Sequence, residues 1–147
     1  MMQLVKQRQR RPGVSPVVPN ETYAMIADVL AGKVMTELAA GRTNAAAETA
    51  DELNGLLEKG VGTGSINANY IIMQVMDIYE SGNLEMAQQA EGYLETLINY
   101  GLNLETLNTS ALGNSLNRVS ENSQCTECID NAEALAGRLL EKSGKTL

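Results

Sequence analysis

Apolar residues recur at helical spacing through most of this chain. Three stripes stand out: Ile26, Leu30, Val34 and Leu38; Ala46, Ala50, Leu53 and Leu57; and Leu84, Ala87, Leu94 and Ile98. Residues three or four apart share one face of a helix, so each stripe predicts an amphipathic helix. The third stripe is interrupted once, by Glu91. The segment YIIMQVMDIY (70–79) is apolar nearly all round, which predicts a helix with neighbours on several sides.

Glycine marks the points where these helices are expected to end. The five positions are Gly41, Gly60, Gly82, Gly101 and Gly144. Glycine adopts the left-handed conformation that follows a helix without a Cβ penalty. Residues that suit N-caps come after several of them: Thr43, Asn67, Asn83 and Asn103. These signals predict helices over 21–40, 43–59, 67–81, 84–100, 104–121 and 126–143, and no segment alternates with the period of a strand.

The glycine signals also repeat at an interval of 41 residues, from Gly41 to Gly82 and from Gly60 to Gly101. Residues 20–60 and 61–101 therefore look like two copies of one helical hairpin, with 104–144 as a diverged third. A closed bundle and a short helical-repeat stack both suit this pattern, and we favour the bundle because three hairpins barely suffice for a solenoid. We predict an all-α fold, a bundle of about six helices arranged as three helical hairpins, with an extended N-terminal arm.

Length and composition suit a single helical domain after that arm. The chain has 147 residues, of which 44% are hydrophobic, and its only aromatic residues are five tyrosines. Alanine-rich helix faces permit close helix approach. No apolar run nears the roughly 20 residues that span a membrane, and no apolar segment follows the basic N-terminus as in a secretory signal peptide. We predict an arm at 1–19, an acidic helical domain at 20–147, and a cytoplasmic or virion location.

Charge is divided unevenly between these two parts. The arm carries four basic residues and no acid, whereas all eighteen acidic residues lie at or beyond Glu21. Residues 20–147 hold seven basic residues against those eighteen acids, a net charge of −11. Such a body repels nucleic acids and anionic membranes. We therefore expect no membrane partner, and nucleic acid could be contacted only through the arm.

The arm is the candidate binding segment. Pro12, Pro16 and Pro19 disfavour a helix in it, and its ordinary interpretation is a solvated terminus. We interpret it instead as an extended docking segment, with the acidic body of a neighbouring copy as the expected receptor. Its candidate partner-binding residues are Leu4, Val5, Lys6, Arg8, Arg10, Arg11, Val14, Val17 and Val18.

Candidate catalytic chemistry is scarce. Cys125 and Cys128 form a CxxC motif, but the chain has no other cysteine and no histidine to complete a zinc site. The pair could be packing thiols, a disulfide, ligands of a metal shared across a symmetric contact, or a redox pair, and we favour packing. Met25, Met35, Met73 and Met76 are expected in the core. We predict no catalytic, cofactor or metal site.

These observations favour a non-enzymatic structural or assembly protein, with a helical body tethered by its arm inside a larger multi-copy complex. Small helical proteins with extended arms are common in virions, so a bacteriophage-type particle is the leading example, by analogy alone. The expected partners are protein, including copies of the same chain. The alternative is a soluble helical adaptor or chaperone-like module that binds a partner helix, and a third class is an enzyme that uses Cys125.

Overall fold

The computed structural model describes residues 20–147, which form six α-helices and no strand. The helices are α1 (Asn20–Ala39), α2 (Thr43–Glu58), α3 (Ala68–Glu80), α4 (Leu84–Asn99), α5 (Thr109–Asn122) and α6 (Thr126–Ser143). Successive helices pack as the pairs α1–α2, α3–α4 and α5–α6. The prediction of an all-α bundle of six helices in three hairpins is confirmed. The predicted arm, residues 1–19, lies outside the described residues.

The predicted helix ends are confirmed at nearly every position. All five predicted glycines have positive φ, for example 83° at Gly82 and 101° at Gly101. Asn67 caps α3 and Asn83 caps α4, each by accepting a backbone N–H of the first turn. Thr43 begins α2 but does not cap it. No helix in residues 20–147 has the combination of length and hydropathy needed to cross a membrane.

Helix α5 begins five residues later than predicted. Its cap is Asn108 and not Asn103, and the side-chain oxygen of Asn108 accepts a first-turn N–H at 3.0 Å. The residues before it are held on α3 by Asn69, which accepts the N–H of Asn108 at 2.8 Å and donates to the carbonyl of Thr106 at 2.9 Å. These tertiary hydrogen bonds occupy backbone groups near the expected start, so residues 104–108 form a loop.

The 41-residue interval recurs in the hydrogen bonds between hairpins. Asp28 on α1 accepts the N–H of Asn67 at 3.0 Å, and the same bond recurs 41 residues later, where Asn69 accepts the N–H of Asn108. Two backbone bonds of the following loops also recur at this offset: Val61 to Leu56 with Leu102 to Leu97, and Ile66 to Thr63 with Leu107 to Leu104. The bundle therefore has the internal order of a short repeat stack.

Helix α3 is the centre of the bundle. It packs against α1, α4, α5 and α6. Its side chains Ile71, Ile72, Val75 and Met76 are fully buried. This arrangement confirms the prediction, made from segment 70–79, of a helix with neighbours on several sides.

The predicted apolar stripe of α1 is buried at Val34 and Leu38 but not at its first residue, Ile26. Ala27 and Ala31 are buried, together with Val34, whereas Ile26 is exposed. Met25, expected in the core, is exposed as well. Apolar residues lie all round the first half of α1, so spacing alone cannot choose its buried face. The small alanine side chains let α1 approach its neighbours more closely than isoleucine would allow.

Gly82 ends α3, and we expect glycine to be needed there only because of its positive φ. A Cβ at Gly82 would meet no heavy atom closer than 3.9 Å, so Gly82→Ala adds strain without a clash. We expect it to lower the free energy of unfolding in urea by about 1 kcal/mol or more. Gly55→Ala, in open space within α2, is the control and should raise it by about 0.5–1 kcal/mol. Equal stability of both variants would contradict this account of the helix stop.

Candidate interaction surface on helix α1

Large exposed apolar side chains are concentrated at the first helix. Of the six in residues 21–147, three lie on α1 and a fourth, Tyr70, lies on α3. Met25 and Val29 are 65% and 66% exposed, and Ile26 is 41% exposed. Single exposed apolar residues are ordinary, but a group of them marks an interaction site. We call Met25, Ile26, Val29 and Tyr70 the α1 apolar surface.

Tyr70 joins this surface because Gly32 leaves room for its ring. A Cβ built on Gly32 would lie 3.3 Å from Cε2 of Tyr70, so the ring covers the bare backbone of α1. Val29 lies three residues before Gly32 and therefore shares that side of the helix. The surface is thus shared between the first two hairpins.

Helix α1 forms one end of the hairpin stack. Leu30 is only partly buried, although the residues 41 and 82 positions after it, Ile71 and Leu112, are fully buried. Those two residues belong to hairpins that follow another hairpin in the stack. The described residues contain no hairpin before α1, so the corresponding side of α1 is left open.

The opposite end of the stack is polar. Asn69 and Met73 lie on the side of α3 that faces α5, where they bond the third hairpin. The residues 41 positions later, Ser110 and Asn114, are both exposed on α5. A polar outer face is how repeat arrays ordinarily end in solvent. The α5 end is therefore polar at these two positions.

A groove of about 540 Å³ opens at the start of α1. Glu21 and Tyr23 line one wall, and Leu56 and Val61 line the other, with glycines of the GVGTGS segment between them. This segment, residues 60–65, belongs to the loop between α2 and α3. The groove lies beside Asn20, where residues 1–19 join the helical body.

The sequence did not single out the residues of this surface. The nine predicted partner-binding residues are all in the arm and lie outside the described residues. Met25 had been expected in the core, and Val29 lies off the predicted stripe. The signal that could have found them was an excess of apolar residues in α1, more than one buried face requires.

A polar network in the core explains why Glu91 interrupts the third stripe. The hydroxyl of Tyr79, which is fully buried, donates to Glu91 at 2.5 Å. Arg138 on α6 pairs with the other oxygen of Glu91 and lies 3.6 Å from Glu95. Burial, together with this hydrogen bond to a carboxylate, raises the pKa of Tyr79 well above its usual value. The network joins α3, α4 and α6, and Oε1 of Glu95 is buried at its edge without a hydrogen bond among the described residues.

The two cysteines are joined in a disulfide, which corrects the expectation of packing thiols. Cys128 is fully buried, and Cys125 occupies the cap position of α6, where its Sγ accepts the N–H of Cys128 at 3.1 Å. The three-residue spacing across a helix start brings the two Sγ atoms together. No group of three or more potential metal ligands occurs in the described part of the chain.

Comparison of the chain with protein-family models, with curated proteins and with solved structures finds no match. The functional argument therefore depends on the geometry of this chain. Its distinctive feature is the group of exposed apolar side chains that forms the α1 apolar surface.

Tyr79 should make the fold sensitive to alkaline pH. Because its pKa is higher in the folded state, its contribution to stability is complete below the ordinary tyrosine pKa of about 10 and is lost as pH rises toward the folded value. We expect Tyr79→Phe to cost about 1 kcal/mol at neutral pH. The variant should lose less stability than the wild type between about pH 9 and 11, measured by urea unfolding. Parallel pH profiles would contradict this role.

Loss of the disulfide should weaken the fold without abolishing it. The bridge closes a ring of only four residues, so its entropic contribution is about 2 kcal/mol. We expect Cys125→Ser with Cys128→Ala to lower the free energy of unfolding by about that amount, with helix content unchanged. The wild type, denatured without reductant, should contain no thiol that iodoacetamide can alkylate. Two alkylated cysteines in that sample would contradict the pairing.

Proposed function

We propose that this is a non-enzymatic structural or assembly protein, with a helical body that joins a larger multi-copy complex through α1 and the N-terminal arm. The observation that carries the proposal is the α1 apolar surface, a group of exposed apolar side chains on two adjacent hairpins. Such a group is a surface suited to a partner. A virion is one complex of this kind, by analogy.

Covering this surface would contribute favourable free energy to association. Burying a large apolar side chain completely contributes roughly 1.5–3 kcal/mol. Met25 and Val29 are about two-thirds exposed, so most of that contribution is unused in the single chain. A partner that covered both side chains would gain it.

Charge determines which kind of partner fits. The helical body carries a net charge of −11, so two bodies repel unless positive charge lies between them. The arm, with four basic residues and no acid, can supply that charge. Exposed ion pairs contribute only about 0–1 kcal/mol each. We therefore assign most of the free energy of association to apolar contacts and the selection of the partner to charge.

No catalytic role is proposed, and two groups that could perform chemistry are occupied by structural contacts. Glu91 is paired with Arg138 and accepts from Tyr79, and the two cysteines are bonded to each other. A second candidate is a soluble adaptor that receives a segment of another protein. The groove of about 540 Å³ beside the start of α1 favours that alternative.

The proposal predicts that charge placed on the α1 apolar surface prevents association. We expect the wild type to associate with increasing concentration, measured by light scattering after size exclusion. Met25→Glu with Val29→Glu should raise the dissociation constant at least about 100-fold, because two apolar contacts are lost.

The matched control places the same two charges, at the same helical spacing, on the polar end of the stack. Ser110→Glu with Asn114→Glu should leave the dissociation constant within about threefold, since no contact is lost there. Circular dichroism checks that both variants remain helical. A wild type that stays monomeric at high concentration, or equal effects of the two variants, would contradict the proposed assembly.

A further inference from the structure

We propose that the α1 apolar surface binds the N-terminal arm, residues 1–19, of a neighbouring copy. This inference rests on the proposed assembly function and names the segment that covers the open end of the stack. The arm of one copy lies across Met25 and Val29 of the next, and its basic residues face the acidic body that it crosses.

The chemistry of the surface matches that of the arm. Of the three acidic residues of α1, Glu37 is buried and Asp28 accepts the N–H of Asn67, so the attraction for the arm comes from the net charge of −11 on the whole body. The arm combines five large aliphatic side chains with four positive charges and no acid. A second helical body, by contrast, carries a net charge of −11 like the first, so the two bodies would repel each other. Within this chain, the arm is the segment whose apolar content and charge both complement the surface.

The sequence next to α1 favours a neighbouring copy over the same chain as the receptor. Val29 lies about 13 Å along the helix from Asn20, at 1.5 Å per residue. Val18 is two residues before Asn20, and two extended residues span at most about 7 Å, so Val17 and Val18 fall short of Val29 on their own helix. An extended arm of this length spans up to about 60 Å, which is enough to reach another copy.

This contact also determines how copies associate. Each chain offers one arm and one α1 apolar surface, so the contact joins different surfaces of the two copies. Exchange between two chains gives a dimer, and exchange in one direction gives a ring or a longer assembly. The polar end formed by α5 is left free in each case.

The decisive experiment mixes two full-length variants. The arm variant carries Val14→Ser, Val17→Ser and Val18→Ser, and the surface variant carries Met25→Glu and Val29→Glu. Each alone should associate at least about 100-fold more weakly than the wild type, because its apolar contact is lost. Mixed in equal amounts, they should form a complex of one copy of each, since the intact arm of one meets the intact surface of the other. Sedimentation velocity with one variant fluorescently labelled measures this.

A labelled synthetic peptide of residues 1–19 tests the contact directly. Fluorescence anisotropy should show that it binds the arm variant. Adding Met25→Glu and Val29→Glu to that variant should weaken binding at least tenfold, whereas adding Ser110→Glu and Asn114→Glu should leave it unchanged. Urea unfolding of every variant checks that the helical body remains folded.

The possible failures can be told apart. If the mixture does not form the mixed complex while the peptide binds, the arm covers its own α1 and the inference is overturned. If only the surface variant loses association, another partner segment binds there, which overturns the inference and leaves the assembly function standing. A wild type that never associates overturns the assembly function itself. Binding abolished by Arg8→Glu, Arg10→Glu and Arg11→Glu alone, with a steep salt dependence, would identify a polyanion as the ligand of the arm and overturn the inference.

Discussion

Each hairpin of this protein is fastened to the next by a side-chain oxygen that accepts the N–H at the start of the following hairpin. Asp28 does this for the second hairpin, and Asn69 does it for the third. These bonds fix where α3 and α5 begin and hold the preceding loops against the stack. Because the arrangement repeats, every hairpin offers one face to its predecessor and one to its successor. The first hairpin therefore has a face with no neighbour among the described residues.

The interior is reinforced by polar contacts at the place where α3, α4 and α6 meet. Tyr79, at the end of the central helix α3, is bonded to Glu91 on α4, which Arg138 on α6 neutralises. The disulfide then fixes the start of α6. A buried carboxylate without a partner would be strongly destabilising, so these three residues stabilise the fold only as a set. The groups most suited to chemistry thus serve the structure.

The difference between the two ends of the stack is the basis of the functional proposal. Ser110 and Asn114 give the α5 end a polar face that can remain in water. Met25 and Val29 give the α1 end an apolar face, and the basic, aliphatic arm joins the chain beside it. The basic arm complements the acidic body of a neighbouring copy in charge. Charge and hydrophobicity therefore favour the same contact.

The sequence by itself determined the helices, because helix ends depend on local chemistry. Gly82 and Gly101 need positive φ wherever the helices pack, and the 41-residue interval shows in residues such as Leu53 and Leu94. Only the tertiary structure decided which face of α1 is buried, because its apolar residues surround the helix and the neighbouring helices select the alanine side. The late start of α5 and the partners of Glu91 were likewise decided by contacts across about 40 residues of chain. The α1 apolar surface was also decided by the tertiary structure. The exposure of Val29 becomes apparent only once the hairpins are packed together.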